Sequence, residues 1–240
     1  MIKLINVCKK FDHRWITKGV TLTIPPEKMT VIIGKSGEGK SVLLKQMIGL
    51  IKPTSGSILI DDIDITQLKE KELNAIFEKV GYVFQFAALL DSLTVFENVA
   101  LPLIENGYPE KAALPIVKER LSLVNLKADI LNKYPSELSG GMLKRVGLAR
   151  TLIHNPKIIL YDEPVTGLDP ITARVVHELM DETQKRLKIT SVVVSHNVES
   201  FKYADYVALL KDGTIKYFGD AHTIWEEMNP DIYNFIRGIE

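Results

Sequence analysis

Apolar positions in this chain change period along its length, and the changes mark its elements. Across residues 2–11 and 19–24 they alternate with polar ones, as in antiparallel strands with one covered face. Residues 29–33, Met-Thr-Val-Ile-Ile, form an apolar run that reads as a strand, and after a glycine-rich stretch residues 42–50 read as a helix. Pro53-Thr54-Ser55-Gly56 signals a turn before a further strand at 57–61, and 80–84 is a short buried strand. From about 86 to 155 the pattern turns helical. Thr94-Val95-Phe96-Glu97 is a capping box, a second helix follows Pro109-Glu110, and a third begins near Gly141. Strands return at 157–161 and 190–194. The long helix between them opens at Asp169-Pro170, because proline suits a first helical position. Residues 205–240 add two strands and two short helices. Strands alternating with helices specify an α/β fold with a mostly parallel sheet covered on both faces. The expected organisation is one domain: an N-terminal antiparallel β part, a core from 1–85 and 156–240, and a helical subdomain inserted at about 86–155.

Composition narrows the picture. The chain has 240 residues, 46% of them hydrophobic, enough for one sizeable core or a core with a small subdomain. Thirty basic and 30 acidic residues leave no net charge, which excludes the basic surplus of a nucleic-acid backbone binder. Cys8 is the one cysteine, so no disulfide forms within the chain; this suits a reducing compartment, and Cys8 is expected to be a small buried residue. No run reaches the roughly 18 apolar residues of a membrane span, and residues 1–4 lack the apolar core of a signal peptide. The expectation is a soluble, cytoplasmic protein that meets a membrane only through another subunit.

The glycine-rich stretch carries the most specific chemistry. Gly34-Lys35-Ser36-Gly37-Glu38-Gly39-Lys40-Ser41 fits G-x-x-x-x-G-K-[ST], a phosphate-binding loop, and sits between a strand and a helix as that motif requires. Backbone N–H groups at the helix start favour an anion, and glycines let the backbone close around it. Lys40 would reach the outer phosphates and the Ser41 hydroxyl would hold magnesium. Downstream, Ile158-Ile159-Leu160-Tyr161-Asp162-Glu163 is an apolar strand ending in two carboxylates, at the sheet end where ligands gather. An acid there needs a cation: Asp162 would bind magnesium and Glu163 would accept a proton from an attacking water. Gln85 and His196 each follow a strand. Taken singly, Gln85 reads as a solvated strand-end residue and His196 as a surface histidine; beside a phosphate loop, Gln85 would touch metal and water, and His196 the terminal phosphate. Leu138-Ser139-Gly140-Gly141-Met142 precedes a helix with Lys144, Arg145 and Arg150, a second anion site or a plain helix-start turn.

In this order these segments resemble the ATP-binding subunits of ABC transporters: phosphate loop 34–41, Gln85, signature 138–142, Walker B 158–162, Glu163, the D-loop Gly167-Leu168-Asp169 and switch His196. The resemblance covers nearly the whole chain. It implies a P-loop NTPase fold of ABC type, with ATP and Mg2+ as ligand and cofactor. Two copies would dimerise head to tail, with Ser139, Gly140, Gly141 and Asp169 of one closing over ATP held by residues 34–41 of the other. It also implies that Glu163 is the general base, that Gln85 and His196 sense the terminal phosphate, that Ser41, Gln85 and Asp162 meet the metal, and that Phe11, or else Trp15, stacks on adenine. The helical subdomain would face a membrane permease, with Gln85 at its hinge.

Residues 85–99, 41–45, 141–145, 167–172 and 229–238 further resemble the ATPases of Mla-type phospholipid transport systems, which work with MCE proteins. This implies phospholipid transport in a bacterial envelope, with the chain peripheral on the cytoplasmic face of the inner membrane. The partners would be a permease, an MCE-type lipid-binding protein and a small regulatory subunit; the alternative is an ATPase for another solute, such as an amino acid or drug. Met142, Val165 and Asn197 depart from common family residues without removing a group the chemistry needs. No Asn-Lys-x-Asp guanine-reading segment is present, and there is one copy of each motif with no heptad run, against a GTPase and against tandem nucleic-acid ATPases.

Overall fold

The structure, a computed structural model, describes residues 1–239, the Glu70 side chain excepted. Two sheets organise it. Strands β1 (Ile2–Phe11), β2 (Arg14–Ile24), β4 (Ser55–Ile60) and β5 (Ile63–Asp64) make an antiparallel sheet ordered β2-β1-β4-β5. The second sheet contains β3 (Met29–Ile33), β6 (Val80–Val83), β7 (Ile158–Asp162), β8 (Thr190–Ser195), β9 (Tyr206–Lys211) and β10 (Thr214–Asp220), ordered β10-β9-β3-β8-β7-β6. Its strands run parallel except β10, which pairs antiparallel with β9 at the edge. The helices are α1 (Lys40–Met47), α2 (Glu70–Phe77), α3 (Val95–Glu105), α4 (Glu110–Leu123), α5 (Gly140–Thr151), α6 (Pro170–Leu187) and α7 (Pro230–Arg237).

Alternation along the parallel strands explains the layering. Met29, Val31 and Ile33 of β3 face an apolar cluster shared with α3–α6, while Ile32 faces one shared with the antiparallel sheet, α1 and α2. β7 divides the same way, Ile159 and Tyr161 to one side and Ile158 and Leu160 to the other. Strands with apolar residues at successive positions are thus buried on both faces. Helices α3, α4 and α5 lie between β6 and β7 in the chain and share one continuous apolar cluster with the sheet. The Thr94 cap forms as expected: Thr94 Oγ1 accepts from Glu97 N at 3.3 Å, and Glu97 accepts from Thr94 N at 2.7 Å. Asn98, wholly buried, donates to the carbonyls of Leu90, Leu93 and Thr94 and accepts from Leu90 N, tying the preceding loop to α3.

Three details depart from the sequence reading. The second strand starts at Arg14 rather than 19, because its first residues pair with the end of β1 through Phe11 and Arg14. Strand β5 and helix α2 fall in a stretch whose pattern predicts no element; α2 has two turns and anchors through Leu73 and Ile76, too short a pattern to register. Cys8 is half-buried rather than buried, its thiol donating to the Asn6 carbonyl at 3.6 Å where β1 departs from regular register. Among the described residues no helix is long and apolar enough to cross a membrane.

His177 on α6 sets an acid limit to stability. It is 4% exposed, its ring lies against Tyr203 with centroids 5.1 Å apart, and its Nε2 meets no partner. Burial pushes its pKa down to about 4, against the weaker opposing pull of Glu199. The unfolded chain takes up this proton near pH 6.5 and the folded one only near 4. The contribution is therefore complete above the unfolded value and is lost as pH falls through that window, by up to roughly 3 kcal/mol. Urea denaturation at pH 7.5 and 4.5 should show a smaller acid loss for His177→Phe than for the native protein; equal losses would remove His177 as the cause.

Candidate functional site

The phosphate loop joins β3 to α1 at the carboxyl end of the parallel sheet. Gly39, the N-cap of α1, has φ 92°, and a Cβ there would lie 2.4 Å from Ile16 Cγ2, so both conformation and space demand glycine. No side chain caps α1, which leaves its first N–H groups for an anion. Lys40 is 6% exposed and its ammonium donates to the carbonyls of Gly34 at 2.8 Å and Lys35 at 3.0 Å. Burial lowers its pKa, and the charges of Glu163, Glu38 and Asp162 oppose that shift. The loop thus holds a buried cation against its own carbonyls. Glu38, by contrast, turns outward and accepts from Asp212 N at 2.8 Å.

Asp162 ends β7 beside this loop at 7% exposure. Its Oδ1 accepts from the Ser41 hydroxyl at 2.6 Å and its Oδ2 from the Tyr82 hydroxyl at 2.8 Å. Burial, with the Asp162 charge, raises the Tyr82 pKa far above the ordinary phenol value, so this group stays a donor. Among the described residues no group of three or more His, Cys, Asp and Glu side chains can hold a metal by itself. A hydroxyl beside one carboxylate suits a hard cation that takes its remaining ligands from phosphate and water, as Mg2+ does. Ser41 and Asp162 would hold it, where it would neutralise phosphate charge.

Glu163 follows with φ 49°, the left-handed region that non-glycine residues seldom occupy. Its N–H donates to Val194 O at 3.0 Å, and its carboxylate accepts from Thr166 Oγ1 at 3.0 Å. His196 Nδ1 lies 3.0 Å from Oε1 and 2.9 Å from Oε2 of Glu163. A carboxylate only accepts, so Nδ1 carries the proton of that contact. The Glu163 side chain is 13% exposed, shielded yet reachable by water.

A cleft of about 360 Å³ brings Ser36, Lys40, Ser41, Gln85, Glu163 and His196 to one surface. A second cleft of about 550 Å³ shares Ser36 and Gly37 with it and is lined by Trp15, Glu38 and Asp212. Trp15 therefore stands beside the phosphate loop. Phe11, 42% exposed under the Lys9 ammonium, lines neither cleft.

The remaining candidates lie elsewhere. Ser139 caps α5, accepting from Met142 N at 3.4 Å, and a Cβ on Gly141 would lie 2.4 Å from Thr172 Cγ2. Asp169 caps α6, accepting from the N–H groups of Ile171 and Thr172 at 3.0 Å each. Bonding to Thr172 lowers its pKa. Neither 139–141 nor 169 lines the Lys40 cleft of its own chain. The cations of α5 turn onto backbone carbonyls. Lys144 donates to the Gln85 carbonyl, Arg150 to those of Ala88 at 2.8 Å and Ala87 at 3.1 Å, and Arg145 to those of Gly141 and Asn125. Lys144 and Arg150 tie the loop after β6 to the signature helix, while Arg145 joins that helix to the segment after α4, and burial lowers the pKa of all three. Sequence reasoning missed Tyr82, whose hydroxyl in an apolar strand was its only signal, and Thr166.

Comparison with known proteins places the chain. The "ABC transporter" family model matches residues 17–166. A probable ribonucleotide transport ATP-binding protein, mkl, of Mycobacterium tuberculosis is 38% identical over 239 residues, 99% of this chain and 66% of the relative. The methionine import ATP-binding protein MetN of Escherichia coli is 40% identical over 220 residues, 90% of this chain and 64% of the relative. The chain thus spans slightly less than two thirds of these relatives' length. Among solved structures, a dimeric bacterial ABC transporter cassette, MJ0796, superposes with TM-score 0.85 at 35% identity, covering 92% of this chain and 99% of that one. The same cassette in a post-hydrolysis state bound to ADP and Pi gives 0.81 at 35% identity, with the same coverage. CbiO1 of Clostridium perfringens, part of a cbiONQ transporter complex, gives 0.87 at 29% identity, covering 98% and 94%.

Proposed function

The chain belongs to the ATP-binding cassettes of ABC transporters, and from that premise we propose that it hydrolyses ATP to power phospholipid transport through a separate membrane permease. The observation that carries the ATPase reading is the cleft holding Lys40, Ser41 and Gln85 against Glu163 and His196. Lys40 and the N-terminus of α1 bind the phosphates. Glu163 takes the proton of the attacking water as its oxygen bonds to the terminal phosphorus and the ADP oxygen leaves. His196, hydrogen-bonded to Glu163, orients that base and presents Nε2 toward the phosphate. Phe11 or Trp15 stacks on the base, and the second cleft favours Trp15.

The active unit is a homodimer. Ser139, Gly140, Gly141 and Asp169 sit away from the cleft of their own chain, so a second copy supplies them; the dimeric relative supports this. Permease docking falls to the helical subdomain of about 86–155. Phe86 and Leu90, 79% and 47% exposed, follow Gln85 on the loop that α5 holds. The chain then sits on the cytoplasmic face of the inner membrane. The lipid reading rests on the Mla-like runs at 41–45, 85–99, 141–145, 167–172 and 229–238, and brings an MCE-type lipid-binding protein and a small regulatory subunit as further partners. The second reading, transport of another solute, is favoured by the names of the relatives, ribonucleotide transport and methionine import. Mass spectrometry of small molecules copurifying with the whole complex separates them: phospholipid on the associated binding protein is expected, and a polar metabolite there would overturn the lipid assignment.

A further inference from the structure

Tyr82 takes no part in that chemistry, yet it makes one of the two hydrogen bonds to the metal-site carboxylate. It lies on β6, the edge strand beside β7, where it pairs in register with Leu160, two residues before Asp162. Its ring packs against the apolar cluster beneath the sheet and against Phe84, centroids 4.6 Å apart, so the hydroxyl is held in one place. From there it donates to Asp162 Oδ2 at 2.8 Å, while Oδ1 faces Ser41 Oγ at 2.6 Å. One carboxylate oxygen is committed to protein and the other is turned toward the metal-binding hydroxyl.

The two ions that best compete for oxygen sites differ here. Mg2+ demands octahedral geometry, keeps several waters and takes few carboxylate oxygens; Ca2+ accepts six to eight oxygens in flexible geometry and often takes both oxygens of one carboxylate. We propose that Tyr82 is a positioning residue that restricts Asp162 to one metal-facing oxygen and so makes the site select Mg2+ over Ca2+. The inference rests on the reading that metal and nucleotide meet at Ser41 and Asp162. Outer hydrogen-bond partners of metal ligands commonly change metal affinity by about 10- to 100-fold when removed.

Tyr82→Phe keeps the ring and removes the donor. The test uses the full chain and a fluorescent ATP analogue titrated at equilibrium in EDTA, in Mg2+ and in Ca2+, with a thermal melt on each sample. Analogue affinity in EDTA should be unchanged, and the ratio of Ca2+ to Mg2+ half-saturation constants should move toward Ca2+ by about tenfold. A ratio within about twofold of native, with analogue still bound, overturns the proposal, since a merely structural tyrosine would lower melting temperature without changing ion choice. Should Tyr82→Phe fail to fold, Tyr82→Met, which keeps an apolar side chain of comparable length and removes the donor, is measured by the same titrations: a shift toward Ca2+ of about tenfold supports the proposal, and a ratio within about twofold of native overturns it. Failure of the native protein to bind the analogue in any condition would instead remove the nucleotide reading beneath it.

Discussion

Glu163→Gln is expected to lower ATP turnover by roughly a hundredfold or more while nucleotide binding stays intact, the usual scale for losing a general base. Glutamine matches the shape of glutamate and can still accept from Thr166 Oγ1 and from His196 Nδ1–H, the two contacts that fix the side chain. The left-handed backbone at φ 49° is equally open to both residues, so the fold is not disturbed. What disappears is a carboxylate able to receive a proton from water. Phosphate release under saturating ATP, with binding of a fluorescent nucleotide measured in parallel, checks this directly. The variant should also accumulate as a nucleotide-dependent dimer on gel filtration. Turnover within threefold of native, roughly 0.6 kcal/mol of barrier, would take Glu163 out of the role.

Lys40→Ala should weaken nucleotide binding by at least about thirtyfold, because a charge-assisted hydrogen bond to phosphate contributes roughly 2 kcal/mol or more. The ammonium is buried, and burial depresses its pKa, so an incoming anion would favour its charged form. Its present partners are the carbonyls of Gly34 and Lys35, and both lie within the loop itself. Removing it leaves those carbonyls to water and takes away the positive charge that offsets Glu163, Glu38 and Asp162. Calorimetric titration with ATP in Mg2+ gives the affinity and a thermal melt gives the fold. An affinity within a few-fold of native, with the protein folded, would mean the loop binds phosphate through its backbone alone.

Much of the fold and of the site is legible in the order of the amino acids. The parallel strands announce themselves because burial on both faces permits no polar alternation, and the ladders of β3, β7, β8 and β9 lie where those runs are. The phosphate loop is legible because phosphate binding fixes glycine and lysine at set spacing between a strand and a helix. The caps at Thr94 and Asp169 are legible because helix ends need local acceptors. Helix α2 is not, since two apolar anchors over eight residues carry too little period. The strand at 14–18 is not, since its pairing with the end of β1 comes from the partner strand and not from its own pattern.

Residue types at short spacing were enough to determine the chemistry on offer: a phosphate loop, two carboxylates at a strand end, and a glutamine and a histidine at two others. Only the tertiary structure decided which of them meet. It joined Ser41 and Tyr82 to opposite oxygens of Asp162, Thr166 and His196 to Glu163, and Trp15 rather than Phe11 to the loop's flank. It also turned Lys144 and Arg150 onto the carbonyls of 85–88. The physical reason is that side-chain partners separated by 80 or 121 positions, as Tyr82 and Ser41 are from Asp162, are set by sheet order and register, which no local pattern encodes.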